Sequence, residues 1–258
     1  MTKATKRHVC VTCKRKRIEL KMHQFRQHWQ CLDCINKAGP DPGVAAEAAQ
    51  VHQLKVLNLY AGIGGNRKFW KGCHVTAIEH NASIANAYSK LYPEDTVIIG
   101  DAHKYLLKNY HKFDIIWSSP PCQSHTRMNY WSPKEKKRYI DLSLYAEIIL
   151  LRNFFKGKWT VENVNPYYES LIAPDKQIGR HLFWSNVPIS DIHVEQIEGF
   201  INLDGQDDKQ KIMDWLGIHI EQNLYSTGKN YLQVFRNCVH PDIGLSIFQD
   251  LLNGRIPR

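Results

Sequence analysis

Short apolar runs, each closed by glycine, proline, asparagine or an acid, recur from about residue 52 to the end of the chain. LKVLNLYAGIGG (residues 54–65) reads as a buried strand running into a glycine-rich turn, with a helix-compatible stretch after it. HVTAIEHN (74–81), TVIIGDA (96–102) and FDIIWSS (113–119) are three further strands, and KWTVENVNPYY (158–168) is a fifth. LYAEIILLRNFF (144–155) carries apolar residues at helical spacing, and PDIGLSIFQDLL (241–252) reads as a closing helix packed on the sheet. Strands alternating with helices predict an α/β fold built on a doubly wound, mostly parallel sheet.

In such sheets ligands bind beyond the carboxyl ends of the strands. Gly62, Glu79, Asp101, Cys122 and Glu162 all fall at that edge. The glycine turn lets backbone approach a ligand closely, and an acid closing the second strand suits a ribose diol. With Asp101 in register to accept from an adenine amino group, the set points to an adenosine-containing cofactor. The competing reading is that Glu79 and Asp101 merely cap the helices that follow. Cys122 stands on a proline-stiffened loop, SSPPCQ, at the mouth of the fourth strand, where a thiol is presented rather than packed. Glu162, flanked by Val161, Asn163 and Val164, is too polar for its strand unless it does chemistry, and a carboxyl there can hydrogen-bond a heterocyclic nitrogen. Cys73 and Cys238 read as small core residues.

Charge changes the picture at the N-terminus. The chain carries a formal net charge of +9, and residues 1–40 hold ten Lys and Arg against Glu19 and Asp33. A basic head on a nearly neutral body predicts a polyanionic partner, nucleic acid in the first place. The head also holds Cys10-x2-Cys13 and Cys31-x2-Cys34, two turns that together can offer four thiolates to one structural Zn2+. A redox C-x2-C is the alternative, but that motif occurs once per site and beside a βαβ pattern. Between the pairs, Phe25 and Trp29 among cations suit base stacking and phosphate contact, or form the small core of a zinc-ribbon-like module. The expected organisation is a basic module over 1–37, a linker over 38–50 and an α/β domain over 51–258. With no secretory signal, no long apolar span and an odd number of cysteines, a soluble cytoplasmic protein of a prokaryotic or virus-infected cell is expected.

The segments LNLYAGIGG, SSPPCQ, VENV, GRHLFWSN and QVFRNCVHP, in this order, resemble the DNA (cytosine-5) methyltransferase family over roughly residues 54–250. The resemblance implies a Rossmann-like class I methyltransferase fold and S-adenosyl-L-methionine as cofactor. That cofactor would lie against Tyr60, Gly62, Gly64, Gly65, Glu79, Asp101 and Pro121, with Asn237 and Val239 closing the site. It implies Cys122 as nucleophile on cytosine C6 with Gln123 beside it, Glu162 steadying N3 and the exocyclic amine, and Arg180 contacting the base or holding the cysteine loop. The target base would have to be flipped out of a duplex.

Four departures stand out. After Pro-Cys-Gln the family continues Gly-Phe-Ser, where this chain has Ser124, His125 and Thr126. The second arginine of the Gln-x-Arg-x-Arg motif is His181. The target-recognition insert is reduced to about 188–229, acidic and poor in arginine, so nucleic-acid affinity is expected to be delegated to the basic head. Arg236 replaces the glycine before Asn-x-Val, where it would meet the methionine carboxylate, a phosphate, or an extra carboxylate on a modified donor. The alternatives to a DNA methyltransferase are the same reaction on tRNA or other RNA, the same chemistry with a carboxylated S-adenosylmethionine analogue, and a non-catalytic zinc-dependent nucleic-acid-binding protein.

Overall fold

The five apolar runs lie side by side in the computed structural model, which describes residues 53–200, 206–220, 224 and 232–256 and the backbone of four short strands ahead of them. Those four are β1 (Arg7–Val9), β2 (Lys16–Ile18), β3 (Met22–Phe25) and β4 (His28–Cys31), paired antiparallel as β1–β2 and β3–β4. The chain divides into two compact units, residues 1–52 and 53–258. The expected linker over 38–50 lies outside the described residues, as do the side chains of Cys10, Cys13, Cys31 and Cys34. Among the described residues no group of three or more His, Cys, Asp or Glu is arranged to hold a metal ion.

The second unit is organised around seven strands: β5 (Leu54–Leu59), β6 (Cys73–Glu79), β7 (Thr96–Ile99), β8 (Ile115–Ser118), β9 (Lys158–Val164), β10 (Lys176–Ile178) and β11 (His181–Ser185). Their order is β10-β11-β9-β8-β5-β6-β7. β5 to β9 are mutually parallel; β11 runs antiparallel beside β9, and β10 pairs antiparallel with β11. The chain winds from β5 outward through β6 and β7, then returns to the other side of β5 for β8 and β9. That reversal opens a crevice between the ends of β5 and β8, where ligands bind in sheets of this kind.

Helices cover both faces because successive strand residues point to opposite sides and both sides are apolar. Leu57, Leu59, Ile78, Ile116 and Val161 face helices α2 (Ala102–Asn109) and α4 (Ser143–Phe154), which follow α1 (Ala82–Leu91) and the short α3 (Arg127–Trp131). On the other face Val56, Val75, Ile115, Trp117 and Phe183 meet the closing helix α7 (Pro241–Asn253), with Trp70 stacked 4.8 Å from Phe248. Between α4 and α7 the chain adds α5 (Gln206–Leu216) and the short α6 (Gln233–Arg236). Ile212, Met213 and Leu216 of α5 are buried with Ile63 and Ile84. These residues of α5 are thus core for the glycine turn.

One expected element is absent: no helix follows the glycine turn. Residues 60–72 form successive tight turns, closed by Gly64 N–H to Ala61 C=O, Arg67 N–H to Gly64 C=O and Trp70 N–H to Arg67 C=O. The reason is that polar side chains here are recruited inward. Asn66 pairs with Asn58 inside the sheet, and Arg67, 3% exposed, forks onto both carboxylate oxygens of Asp95 at 2.8 Å. A regular helix would swing those groups outward.

Candidate active site

The carboxyl edge of the sheet is assembled by long-range hydrogen bonds among polar groups. β5 ends in Tyr60, whose φ of 55° is the only positive value at a non-glycine among the described residues. Its hydroxyl donates to Glu147 Oε1 at 2.6 Å, so the ring is turned inward. Glu147 is a fully buried carboxylate on α4; its Oε2 accepts from Ser118 Oγ at 2.6 Å, and its Oε1 meets His103 Nδ1 at 2.9 Å. One acid therefore ties together the ends of β5 and β8 and the first turn of α2. Burial, then the Glu147 charge, pushes the Tyr60 hydroxyl far above the usual tyrosine range, and the bond to Glu147 raises His103. A charged hydrogen bond of this kind contributes about 1.5–3 kcal/mol.

Next to this network lies the glycine cradle. Gly62 (φ 55°) donates its N–H to Glu79 Oε2 at 3.0 Å, and Glu79 Oε1 accepts from Asn81 N–H at 2.8 Å. Asn81, not Glu79, caps α1. Asp101 does cap α2, accepting from Lys104 N–H at 3.0 Å, while its side chain stays 49% exposed. Both the ligand and the capping readings of Asp101 are thus compatible with its position, whereas Glu79 is committed to the glycine turn. A Cβ built on Gly62 would meet nothing within 4 Å, so the turn faces open space. A Cβ on Gly65 would sit 2.6 Å from the Val239 carbonyl, so the turn packs directly on the segment after α6. Val239 itself is a buried core residue, while Asn237 is exposed with its Oδ1 held by Gln233 Nε2 at 2.6 Å. An open glycine turn, a buried acid at the end of β6 and an exposed acid at the start of α2 fit a nucleoside with a charged tail.

The Cys122 loop follows β8. Pro120 C=O accepts from Asn163 Nδ2 at 2.9 Å, which docks the loop onto β9. The Cys122 carbonyl accepts from the N–H groups of His125 and Thr126, and the His125 carbonyl accepts from Tyr167 N–H at 3.1 Å. The His125 ring is fully buried, its Nδ1 2.5 Å from Tyr168 Oη and its Nε2 without a partner among the described residues. Cys122 is thereby clamped from both sides, partly buried, with Pro121 and Gln123 exposed at the rim.

Glu162, 5% exposed, faces this loop. Its Oε1 lies 2.6 Å from His181 Nδ1. β9 and β11 pair Val164 with His181, so the His181 ring sits diagonally over Glu162 on the same face of the sheet. The residue that replaces the expected arginine thus holds the acid. Arg180 donates through Nη2 to the Arg236 carbonyl and lies with its guanidinium 4.8 Å over the Phe200 ring. Burial pulls Arg180 below the usual range, against the charges of Glu162 and Cys122. Arg236 Nε is buried and has no hydrogen-bond partner among the described residues.

The three described cysteines differ. Cys238 is pushed up to about 12 by burial, and Cys73 is also raised by burial. Cys122 is raised by burial and by the Glu162 charge, while Arg180 and the loop backbone pull it back. The thiol is therefore protonated at neutral pH in the free protein; burial is the larger reason, and the Glu162 charge adds to it. The rate of Cys122 alkylation by iodoacetamide, followed by peptide mass spectrometry, should rise with a midpoint above the ordinary 9.0. Glu162→Gln should move that midpoint down and Arg180→Met should move it up. A midpoint unmoved by either change would mean that the three groups do not share a field.

Sequence reasoning singled out Cys122, Glu162 and Arg180, and the fold brings them together. It missed Glu147, whose only local signal is a lone acid in the apolar run LYAEIILL, and it did not assign His181 a partner.

A mostly parallel seven-stranded sheet covered by helices fits a Rossmann-like methyltransferase fold, and at its carboxyl edge a clamped cysteine and a buried acid lie beside an open glycine turn. Residues 54–170 match the model of the C-5 cytosine-specific DNA methylase family. The match contains Cys122 and Glu162 and stops before Arg180. No curated protein matches the chain. Among solved structures, a mutant of DNMT2 from Spodoptera frugiperda is 26% identical over 46% of this chain and 38% of its own, with a TM-score of 0.33. The methyltransferase EhMeth of Entamoeba histolytica is 23% identical over 46% and 40%, with a TM-score of 0.32. A DNA modification methyltransferase encoded in an Escherichia coli prophage is 19% identical over 45% and 34%, at 0.31. The chain spans about two fifths of the length of the first two of these structures.

Proposed function

We propose that the protein is a cytosine-C5 methyltransferase that acts on DNA with S-adenosylmethionine as donor. The observation that carries this reading is the clamped Cys122 facing Glu162 within the matched domain. The residues that would hold the cofactor are Gly62, Gly64, Gly65, Glu79 and Asp101, with Tyr60, Pro121, Asn237 and Val239 bordering them. When bound, it supplies the electrophilic methyl that cytosine C5 takes up.

The chain's own residues do the rest. Cys122 Sγ, as thiolate, adds to C6 of the cytosine, which turns the C5–C6 π bond into an enamine at C5. His181 engages Glu162 Oε1, so Oε2 is the oxygen available to the base; in its protonated form it donates to N3 and offsets the charge that develops there. That same protonation removes the charge that holds the thiol up. Arg180, anchored on the Arg236 carbonyl, keeps a cation beside both groups. Loss of the C5 proton and expulsion of the Cys122 thiolate restore the ring. The cytosine must stand outside a base stack for C6 to be reached.

The test is incubation of the full chain with S-adenosylmethionine and either DNA or RNA, digestion to nucleosides and mass spectrometry. A 5-methyldeoxycytidine peak is the expected product. Methylation of RNA alone would move the substrate to RNA, and an unmodified pool in both would overturn the reading with this donor. The unpartnered, buried Arg236 Nε favours an anion at that point, which keeps one second reading in view: a donor carrying an extra carboxylate. The basic head, with Cys10, Cys13, Cys31 and Cys34 as ligands of a structural Zn2+, belongs to the proposal as a sequence-based part and adds affinity for the polyanion.

A further inference from the structure

Between the nucleophile loop and α4 the chain makes an excursion that the reading above leaves unused. Buried Asn129 closes its neck: Nδ2 donates to the carbonyls of Ser124 and Arg138 at 3.1 and 2.8 Å, and Oδ1 accepts from Arg138 N–H at 2.8 Å. A second tie runs from Asp141 N–H to Ser124 Oγ at 3.1 Å. The loop is thus a tied element, and what it presents outward is unusual. Trp131 is 80% exposed, Tyr139 97%, Met128 65% and Tyr130 52%. Large apolar side chains left in water this close together mark a binding surface. Five cations lie between residues 127 and 142, namely Arg127, Lys134, Lys136, Lys137 and Arg138, against Glu135 and Asp141. Lys137 Nζ sits 4.9 Å over the Tyr130 ring, which is itself 5.2 Å from Trp131 and 5.7 Å from Tyr167.

We propose that this tied aromatic and basic loop is a docking surface for single-stranded DNA, so that the site takes cytosines that are already unpaired. Aromatic faces pair with bases only where the base face is free, and in a duplex both faces are covered by neighbouring pairs. Cations interleaved with exposed rings are the chemistry that tracks a phosphate backbone while bases stack. A purely apolar protein partner would gain nothing from five cations, and a duplex would gain nothing from Trp131. The loop begins at Arg127, five residues after Cys122, and Tyr167 links it to the His125 carbonyl, so a strand held on the rings is delivered beside Cys122. Ile212, Met213 and Leu216 of α5 are spent on the core beneath the glycine turn, whereas the exposed rings and cations of this loop are free to meet a ligand. The inference deepens the reading of the site as a cytosine methyltransferase and rests on it for the identity of the base.

The test is fluorescence anisotropy of the full chain with a labelled oligodeoxynucleotide of about 16 nucleotides, single-stranded or hybridised to its complement. Stacking of one base on an aromatic is reduced by Trp131→Ala on a scale that converts to about 5- to 150-fold in single-strand affinity. Trp131→Phe should recover most of that loss, and Trp131→Ala should leave duplex affinity unchanged. Lys136→Ala should flatten the dependence of single-strand affinity on log salt by about 0.7. Equal or tighter duplex binding, or single-strand affinity indifferent to Trp131→Ala, overturns the proposal; an RNA strand preferred over DNA overturns its choice of polymer. Single-strand binding that depends on Trp131 in a protein that transfers no methyl would leave the surface standing and sink the catalytic reading. Methyl transfer to duplex DNA unaffected by Trp131→Ala would do the reverse.

Discussion

Cys122→Ser should abolish the proposed methyl transfer and leave the thermal transition where it was. The fold does not depend on the thiol: the loop is held by the Cys122 carbonyl, by Asn163 on the Pro120 carbonyl and by Tyr167 on the His125 carbonyl, none of which involves the side chain. The chemistry does depend on it. A serine hydroxyl in the same half-buried place, beside the negative Glu162, has no accessible alkoxide, whereas the thiol is within reach of ionisation once the acid is neutralised. Removing a covalent nucleophile costs on the order of 10⁶-fold in turnover where it has been measured in isolation. The independent readout is covalent trapping on an oligonucleotide carrying 5-fluorocytosine. Fluorine at C5 cannot leave as a proton does, so the thioether at C6 persists after methyl uptake and the protein gains the mass of the oligonucleotide. Wild-type protein should show that adduct and Cys122→Ser should not. An adduct that survives the substitution would assign the nucleophile elsewhere, and activity that survives it would remove covalent catalysis by this residue altogether.

The second large effect is on stability. Arg67→Ala should destabilise the α/β unit by about 3–5 kcal/mol, the range for removing one partner of a buried ion pair. Arg67 and Asp95 are 4% and 1% exposed at the side chain, joined by two 2.8 Å bonds; Arg67 also donates to the Trp70 carbonyl at 2.7 Å, and Asp95 accepts from Tyr88 Oη at 2.7 Å. Burial alone would pull the guanidinium down, but the Asp95 bond and charge outweigh it and hold Arg67 above its ordinary value. Without Arg67 the Asp95 carboxylate is left buried with a single phenolic donor. Set against a typical total of about 5–15 kcal/mol, that loss is large. It corresponds to a drop in melting temperature of roughly 6–20 °C for a domain of this size. Arg67→Lys should recover only part of it, because an ammonium cannot fork onto both oxygens. The contact with Glu94, 61% exposed, contributes little by comparison. A melting temperature unchanged in Arg67→Ala would show that the turn is held by its apolar contacts alone.

The sequence by itself determined the parallel strands, the strand-end positions of Glu79, Cys122 and Glu162, and the closing helix. Each of these is a local signal: an apolar run of strand length ends at a residue type that a buried strand would not tolerate without a task. Asp101 was equally legible as a cap, since a cap needs only its own next three residues. What the tertiary structure decided is everything that depends on a partner far along the chain. Glu147 meets Tyr60 across 87 positions and Ser118 across 29, and Asn163 reaches Pro120 across 43. His181 became the partner of Glu162 only because β11 returns antiparallel beside β9, which puts the two on one face. The expected helix after the glycine turn failed for the same reason: Asn66 and Arg67 found better partners in Asn58 and Asp95 than helical geometry offers. Periodicity reports how a segment divides between water and core, but it carries no information on which buried polar group will satisfy which. That pairing is fixed by topology, and the cost of leaving such a group unpaired is what makes the fold enforce it.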